Sequence, residues 1–252
     1  MPTTSTASQP LASLSGLRKH LRSLANPARA ALVAGYFKTG AGQYGEGDRF
    51  LGVTVPQLRA TVRAFSGDRI AVATQLLQSP WHEERLLAVI LLVRVYEKGS
   101  EAERATIYRL YLANAGRINN WDLVDVSAPG IVGAHLLTRN HAVLDRLARS
   151  PVLWERRIAI VATQHFIRRG FYDTTMRLAA RLAADEQDLI HKAAGWMLRE
   201  VADRDRPLVT RFLNRYASTL PRTMLRYAIE KFPVRLRRGY MAIPRSVRDT
   251  RP

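Results

Sequence analysis

The chain has 252 residues, 39 of them Lys or Arg against 21 Asp or Glu, a formal net charge of +18, and no cysteine. The missing cysteine excludes disulfides, thiolate metal sites and thiol nucleophiles, and the longest apolar run, Leu86 to Val93, is too short to span a bilayer. The charge favours a polyanionic partner, nucleic acid ahead of an anionic membrane surface, although only five of the basic residues are lysine, a skew that genomic base composition also produces.

In chain order, residues 1–14 read as a polar tail. The first acidic residue is Glu46, so the start is basic and rich in Ser and Thr. With no continuous apolar segment behind it, a secretory signal is excluded, and the leader of a bacterial cytoplasmic protein is preferred to an organellar transit peptide. From residue 15 to 235 helical patterns dominate and strand-like alternation is nearly absent, which predicts one all-α domain. Gly40-Ala41-Gly42-Gln43-Tyr44-Gly45 has the spelling of a dinucleotide-binding loop. A helical segment precedes it, however, and Glu46, Gly47 and Asp48 follow, so it reads as a loop between helices.

An internal repeat comes next. Residues 79–88, Ser-Pro-Trp-His-Glu-Glu-Arg-Leu-Leu-Ala, align without gaps on residues 150–159, Ser-Pro-Val-Leu-Trp-Glu-Arg-Arg-Ile-Ala, an offset of 71 residues. Each copy runs on to a glycine, Gly99 or Gly170. Ser-Pro reads as a helix start and Gly as its stop. The offset suits two repeats of HEAT type, and stacked helix pairs of that kind predict a curved α-solenoid with a concave binding face, which the net charge leads one to expect to be basic and DNA-binding. Residues 236–252 read as a second, basic tail.

The repeat singles out Arg157, which stands where the first copy has Leu86. Either its stem crosses a groove with the head in solvent, or the guanidinium has a partner or ligand. Two further stretches carry chemistry. In Asn119-Asn120-Trp121-Asp122-Leu123-Val124-Asp125, Trp121 and Asp125 are i and i+4 on one helix face. An anion beside an indole in so basic a chain suits a polyanion only if it serves a positively charged part of it. In residues 192–200, Lys-Ala-Ala-Gly-Trp-Met-Leu-Arg-Glu, Arg199 follows Trp196 at i+3, and Gly195 suggests a close approach by a partner or a backbone. Asp122 could be a helix-start charge. The six histidines form no close ligand pair and read as structural or surface residues.

These stretches resemble the AlkD family of alkylpurine DNA glycosylases, bacterial HEAT-like repeat proteins. The likeness covers roughly residues 20–235. It rests on Tyr36-Phe37-Lys38, Phe50-Leu51-Gly52-Val53, Trp121 to Asp125, Leu153 to Ala159 and Lys192 to Glu200. The resemblance implies a catalytic aspartate at Asp125, sugar-contacting tryptophans at Trp121 and Trp196, and a catalytic-site arginine at Arg157 that binds a phosphate and positions the strand. It implies DNA contacts at Tyr36 and Arg199. Where the family pattern has a lysine, this chain has His165, a weaker contact if uncharged. Lys192, the only lysine near the implied site, is expected as a further DNA contact.

The activity implied by the resemblance is that of a monofunctional glycosylase that hydrolyses N3- or N7-alkylated purines, such as 3-methyladenine and 7-methylguanine, from duplex DNA. It would act without base flipping, metal, small-molecule cofactor or membrane, as a monomer in the bacterial cytoplasm at the nucleoid. The competing readings are a non-catalytic HEAT-repeat protein that binds bent or branched DNA, which would not need Asp125, and a scaffold for an acidic protein.

Overall fold

Local hydrogen bonds at the helix starts account for much of the architecture. Ser13, Asn26, Thr54, Asp68, Ser100 and Asp205 each accept a first-turn backbone N–H through a side-chain oxygen, the groups a helix would otherwise leave unpaired. The structure, a computed structural model, describes residues 11–245. The start of the expected leader, 1–10, and the end of the basic tail, 246–252, lie outside them. The described residues are helical and contain no strand, only one isolated bridge between Arg49 and Trp81. No helix among them is long and apolar enough to cross a membrane.

The chain divides into two compact units, one up to Leu123 and one from Val124 onward. The first holds α1 (Leu14–Ser23), α2 (Pro27–Tyr36), α3 (Val55–Ala64), α4 (Arg69–Leu76), α5 (His82–Lys98) and α6 (Glu101–Ala113). Helix α7 (Trp121–Ala128) runs across the boundary. The second unit holds α8 (Ala134–Leu136), α9 (Ala142–Leu147), α10 (Leu153–Ala162), α11 (Gln164–Ile167), α12 (Asp173–Leu182), α13 (Asp188–Ala202), α14 (Arg206–Tyr216), α15 (Arg222–Ala228) and α16 (Val234–Ala242).

In the first unit α5 is the central helix, packed by α3, α4 and α6. Leu87, Val89, Leu91 and Leu92 are fully buried, each contributing roughly 1.5–3 kcal/mol of hydrophobic stabilisation. Its first turn, His82-Glu83-Glu84-Arg85, is equally buried although it is charged, and every member has a partner. Glu83 accepts from the N–H groups of Leu51 (2.9 Å) and Gly52 (2.7 Å). Glu84 accepts from Arg18 and Arg22 of α1. Arg85 donates to Asp48 (2.5 Å) and to the carbonyl of Ser79. Gly52 has φ +77°, and a Cβ there would lie 2.2 Å from the carbonyl oxygen of Asn26, so no other residue fits that turn.

The repeat is visible in the structure, with two corrections. Ser-Pro is a turn ahead of each helix rather than its cap. The hydroxyls of Ser79 and Ser150 accept from the backbone N–H two residues on, and the helices begin at His82 and Leu153. The second copy is also broken, with α10 ending at Ala162 and α11 following, where α5 runs unbroken to Lys98. Repeat-related arginines nonetheless do the same work: Arg156 donates to the Ser150 carbonyl and to Asp185, as Arg85 does to Ser79 and Asp48.

A third correction concerns the basic tail, because residues 234–242 form α16. Pro233 precedes its first turn. Tyr240 then fixes it, packing edge-on against Phe232 and donating from its hydroxyl to Asn214 of α14 at 2.9 Å. Arg222 closes the far end on the carbonyl of Ile243 at 2.6 Å. Charge pattern alone hides these anchors.

In the second unit α13 packs on α10, α12, α14 and α15. Gly195 permits the closest of these approaches, since a Cβ there would stand 2.5 Å from the Met224 carbonyl oxygen and 2.6 Å from Cβ of Tyr227. The expected close approach is therefore that of a backbone. Gly195→Ala should destabilise this unit by about 1–3 kcal/mol through overpacking, read as a lower denaturation midpoint in urea. An unchanged or higher midpoint would mean that α15 yields freely.

Candidate active site

Arg157 stands on α10 among fully buried residues, Ile158, Ala159 and Ile160, and is itself only 5% exposed. A cation tolerates that setting only with partners, and it has three acceptor atoms. Nε donates to Oδ1 of Asp125 at 2.9 Å, Nη2 to Oδ2 at 2.8 Å, and Nη1 to the carbonyl of Leu189 on α13 at 2.7 Å. The bidentate fork fixes both the position and the plane of the carboxylate. The aspartate side chain keeps 20% exposure against 6% for the arginine, so the carboxylate is gripped from the buried side and reachable from the other.

Of the two readings left open for Arg157, the geometry selects the partnered one: its head is not in solvent, and its fork is engaged by Asp125. Removing one partner of such a buried pair costs about 3–5 kcal/mol, because the other charge is left uncompensated.

Trp121 opens α7 and is half-buried. Its ring stacks on Phe37 at 5.1 Å and meets the edge of Tyr36 at 5.9 Å, while Tyr36 itself is 67% exposed. Neither Trp121 nor Trp196 is buried in a core. Trp196, on α13, donates from Nε1 to Glu200 at 3.2 Å. It lies seven residues beyond Leu189, hence on the same side of that helix.

The start of α7 is held by a buried network that sequence reasoning misses. His82, 2% exposed, places Nδ1 3.1 Å from Asp48 and Nε2 2.8 Å from Asp122. Asn120 donates to Asp48 at 3.3 Å, and its carbonyl oxygen accepts the backbone N–H of Trp121 at 2.8 Å. Asp122 in turn accepts from the N–H of Leu123. Burial opposes charge on His82, but the hydrogen bonds and charges of Asp122 and Asp48 outweigh it and raise its pKa to about 9. Burial would likewise raise the pKa of Asp48, yet His82 and Arg85 hold it below the usual value. The imidazolium also packs against two aromatic rings, 4.7 Å from Phe50 and 4.9 Å from Phe37, which stack on each other at 5.4 Å. A signal for His82 was available: the repeat sets it against Leu153, the same kind of polar-for-apolar exchange that exposes Arg157.

Three of the remaining expected DNA contacts are either paired or uncharged. Arg199 is paired with Glu230, and Lys192 with Asp188 at 2.8 Å, one turn apart on α13. Burial, then the charges of Arg169 and Arg168, push the pKa of His165 down to about 4, so it carries no charge at neutral pH. The structure thus brings together Asp125 with Arg157 in one unit and Tyr36 with Trp121 in the other. Trp121 and Asp125 are one turn apart on α7.

His82 supplies a pH test. Its folded-state pKa is raised, so its stabilisation is complete below the unfolded value near 6.5 and is lost as pH rises through about 9. That contribution is on the order of 3 kcal/mol. Urea unfolding between pH 7 and 10 should show this decline, and His82→Gln should be less stable at pH 7 with the decline removed. An identical alkaline slope in both proteins would refute the assignment.

A family model described as DNA alkylation repair enzyme matches residues 17–232. Comparison with curated proteins gives no match. Two solved structures are similar in fold. One is described as a predicted DNA alkylation repair enzyme from Enterococcus faecalis, with 17% identity and a TM-score of 0.65 over 83% of this chain and 97% of that one. The other is AlkD2 from Streptococcus mutans, with 16% identity and a TM-score of 0.52 over 86% and 99%.

Proposed function

Because the chain belongs to the family of DNA alkylation repair enzymes, we propose that it hydrolyses the N-glycosidic bond of N3- or N7-alkylated purines in duplex DNA. The observation that carries this reading is the Asp125 carboxylate, clamped through both oxygens by a buried arginine yet left one-fifth exposed. A clamp of that kind suits a carboxylate that acts on a ligand rather than one that pairs at a surface.

An alkylated purine is already cationic. As the bond from C1′ to the base nitrogen breaks, its electron pair leaves with the purine and positive character grows on the deoxyribose. Asp125 stabilises that charge and orients the water whose oxygen adds to C1′. The proton released passes to the carboxylate or to solvent, leaving an abasic site and a neutral base. Arg157 prevents the carboxylate from turning away during the step, so stabilisation is available without reorganisation. Trp121, one turn before Asp125, and Trp196 hold the sugar by their ring faces and exclude bulk water. Tyr36, exposed beside Trp121, and Arg199 contact the backbone of a base that stays stacked.

His165 contributes shape rather than charge. The amine of Lys192 is engaged by Asp188, which favours simple hydrolysis over lyase chemistry through an amine nucleophile. The protein would act as a monomer and needs no cofactor for these steps.

The test is single-turnover release of 7-methylguanine and 3-methyladenine from alkylated duplex. Asp125→Asn should slow release at least about tenfold, equivalent to ~1.4 kcal/mol of transition-state stabilisation, with DNA affinity retained. If the wild type releases neither base while binding tightly, the protein is a DNA binder that keeps the site's residues without this chemistry.

A further inference from the structure

Helix α16 ends the described chain as a fixed ledge of positive charge. From residue 231 to 245 there are five cations, Lys231, Arg235, Arg237, Arg238 and Arg245, and no acid. None of the residues of α16 is buried, yet the helix does not float, being tied by Tyr240 to Asn214 and at its end by Arg222. Between α15 and α16 lies a groove. On the α16 side it is lined by Val234, Arg237, Arg238 and Met241, at i, i+3, i+4 and i+7, one face of the helix. Arg226, Ile229 and Glu230 form the opposite wall.

Glu230 is the one acid in this lining, and its carboxylate is already taken by Arg199 of α13. Among the described residues Arg237 donates to the Glu230 carbonyl at 3.4 Å. Arg226, Arg237 and Arg238 are all exposed. Ile229, Val234 and Met241 give the arginine stems an apolar bed, which leaves the guanidinium heads at the rim.

We propose that this groove is a second docking surface for duplex DNA, in which Arg226, Arg237 and Arg238 take backbone phosphates flanking the catalytic site. Continuity favours DNA over an acidic protein. The Arg199–Glu230 pair joins the groove to α13, the helix that carries Trp196, so a duplex held at that tryptophan would lie on the same unit as these arginines. A polyanion engaged near Trp196 would be met further along by these arginines, pre-ordered by the anchors of α16. All of α16 lies past residue 232, where the family match ends, whereas Arg226, Ile229 and Glu230 lie within it, so one wall of this groove stands outside what the chain shares with the family as a whole. The inference requires that the ligand be DNA and does not require that a base be excised.

The test uses the full chain with Arg226→Gln, Arg237→Gln and Arg238→Gln combined, and undamaged duplex of about two helical turns titrated by fluorescence anisotropy over a range of salt. Loss of three phosphate contacts should make the slope of log Kobs against log salt less negative by about 2–3, with weaker binding at low salt. Thermal unfolding should match the wild type, and excision at saturating DNA should persist. Should the triple variant unfold early, Arg238→Glu alone serves the same purpose. An unchanged slope and affinity would overturn the proposal. So would unchanged DNA binding with loss of binding to a poly-glutamate peptide, which would assign the groove to an acidic protein. The wild type's failure to release alkylated bases would sink the glycosylase reading but leave this measurement intact.

Discussion

Arg157 opens the apolar stretch of α10 that runs on to Ala162 and pairs with Asp125 of α7, and its guanidinium could not be buried there alone at tolerable cost. Three acceptors on two other segments satisfy the guanidinium, so α7, α10 and α13 of the second unit are joined at one point. For the reaction proposed above, the consequence is direct. A carboxylate fixed through both oxygens cannot rotate to meet a developing charge, so the charge must develop where the carboxylate already is. That is pre-organisation in the sense that matters for catalysis: the orienting cost is met on folding, before substrate arrives.

The first unit treats the start of α7 in the same manner. His82, Asp48 and Asn120 engage Asp122 and the backbone of Trp121, with the imidazolium packed against both Phe37 and Phe50. Phe37 also stacks on Trp121. The helix that bears both proposed sugar-contacting and charge-stabilising groups is thus gripped at its first residue and again one turn later. Both grips depend on buried charge, and in the His82 network that dependence makes the grip sensitive to alkaline pH.

Much of this was legible in the sequence. Helical periodicity specifies the all-helical character of the described residues, and the repeat marks Arg157 as an arginine in an apolar place. Gly195 announces a close approach, which proves to be the backbone of α15. What stayed hidden has a common cause. The partner of Arg157 is 32 residues away, and Asp48 and Asp122 lie 34 and 40 residues from His82, so no local pattern connects them. A charged His-Glu-Glu-Arg turn looks like a solvated helix start until each side chain is seen with its own buried partner. The basic tail misled for the converse reason: its charge says nothing of docking, whereas Tyr240 and Arg222, two ordinary residues in the sequence, dock its first part as α16.

The central claim is that Arg157 acts through Asp125 and not through a separate contact with the DNA. A double-mutant cycle on single-turnover base release measures this directly, comparing Asp125→Asn, Arg157→Lys and the double variant at saturating DNA. If Arg157 only holds the carboxylate, the double variant should be no slower than Asp125→Asn alone. Losses that multiply in the double variant would contradict the claim and give Arg157 a role of its own on the substrate.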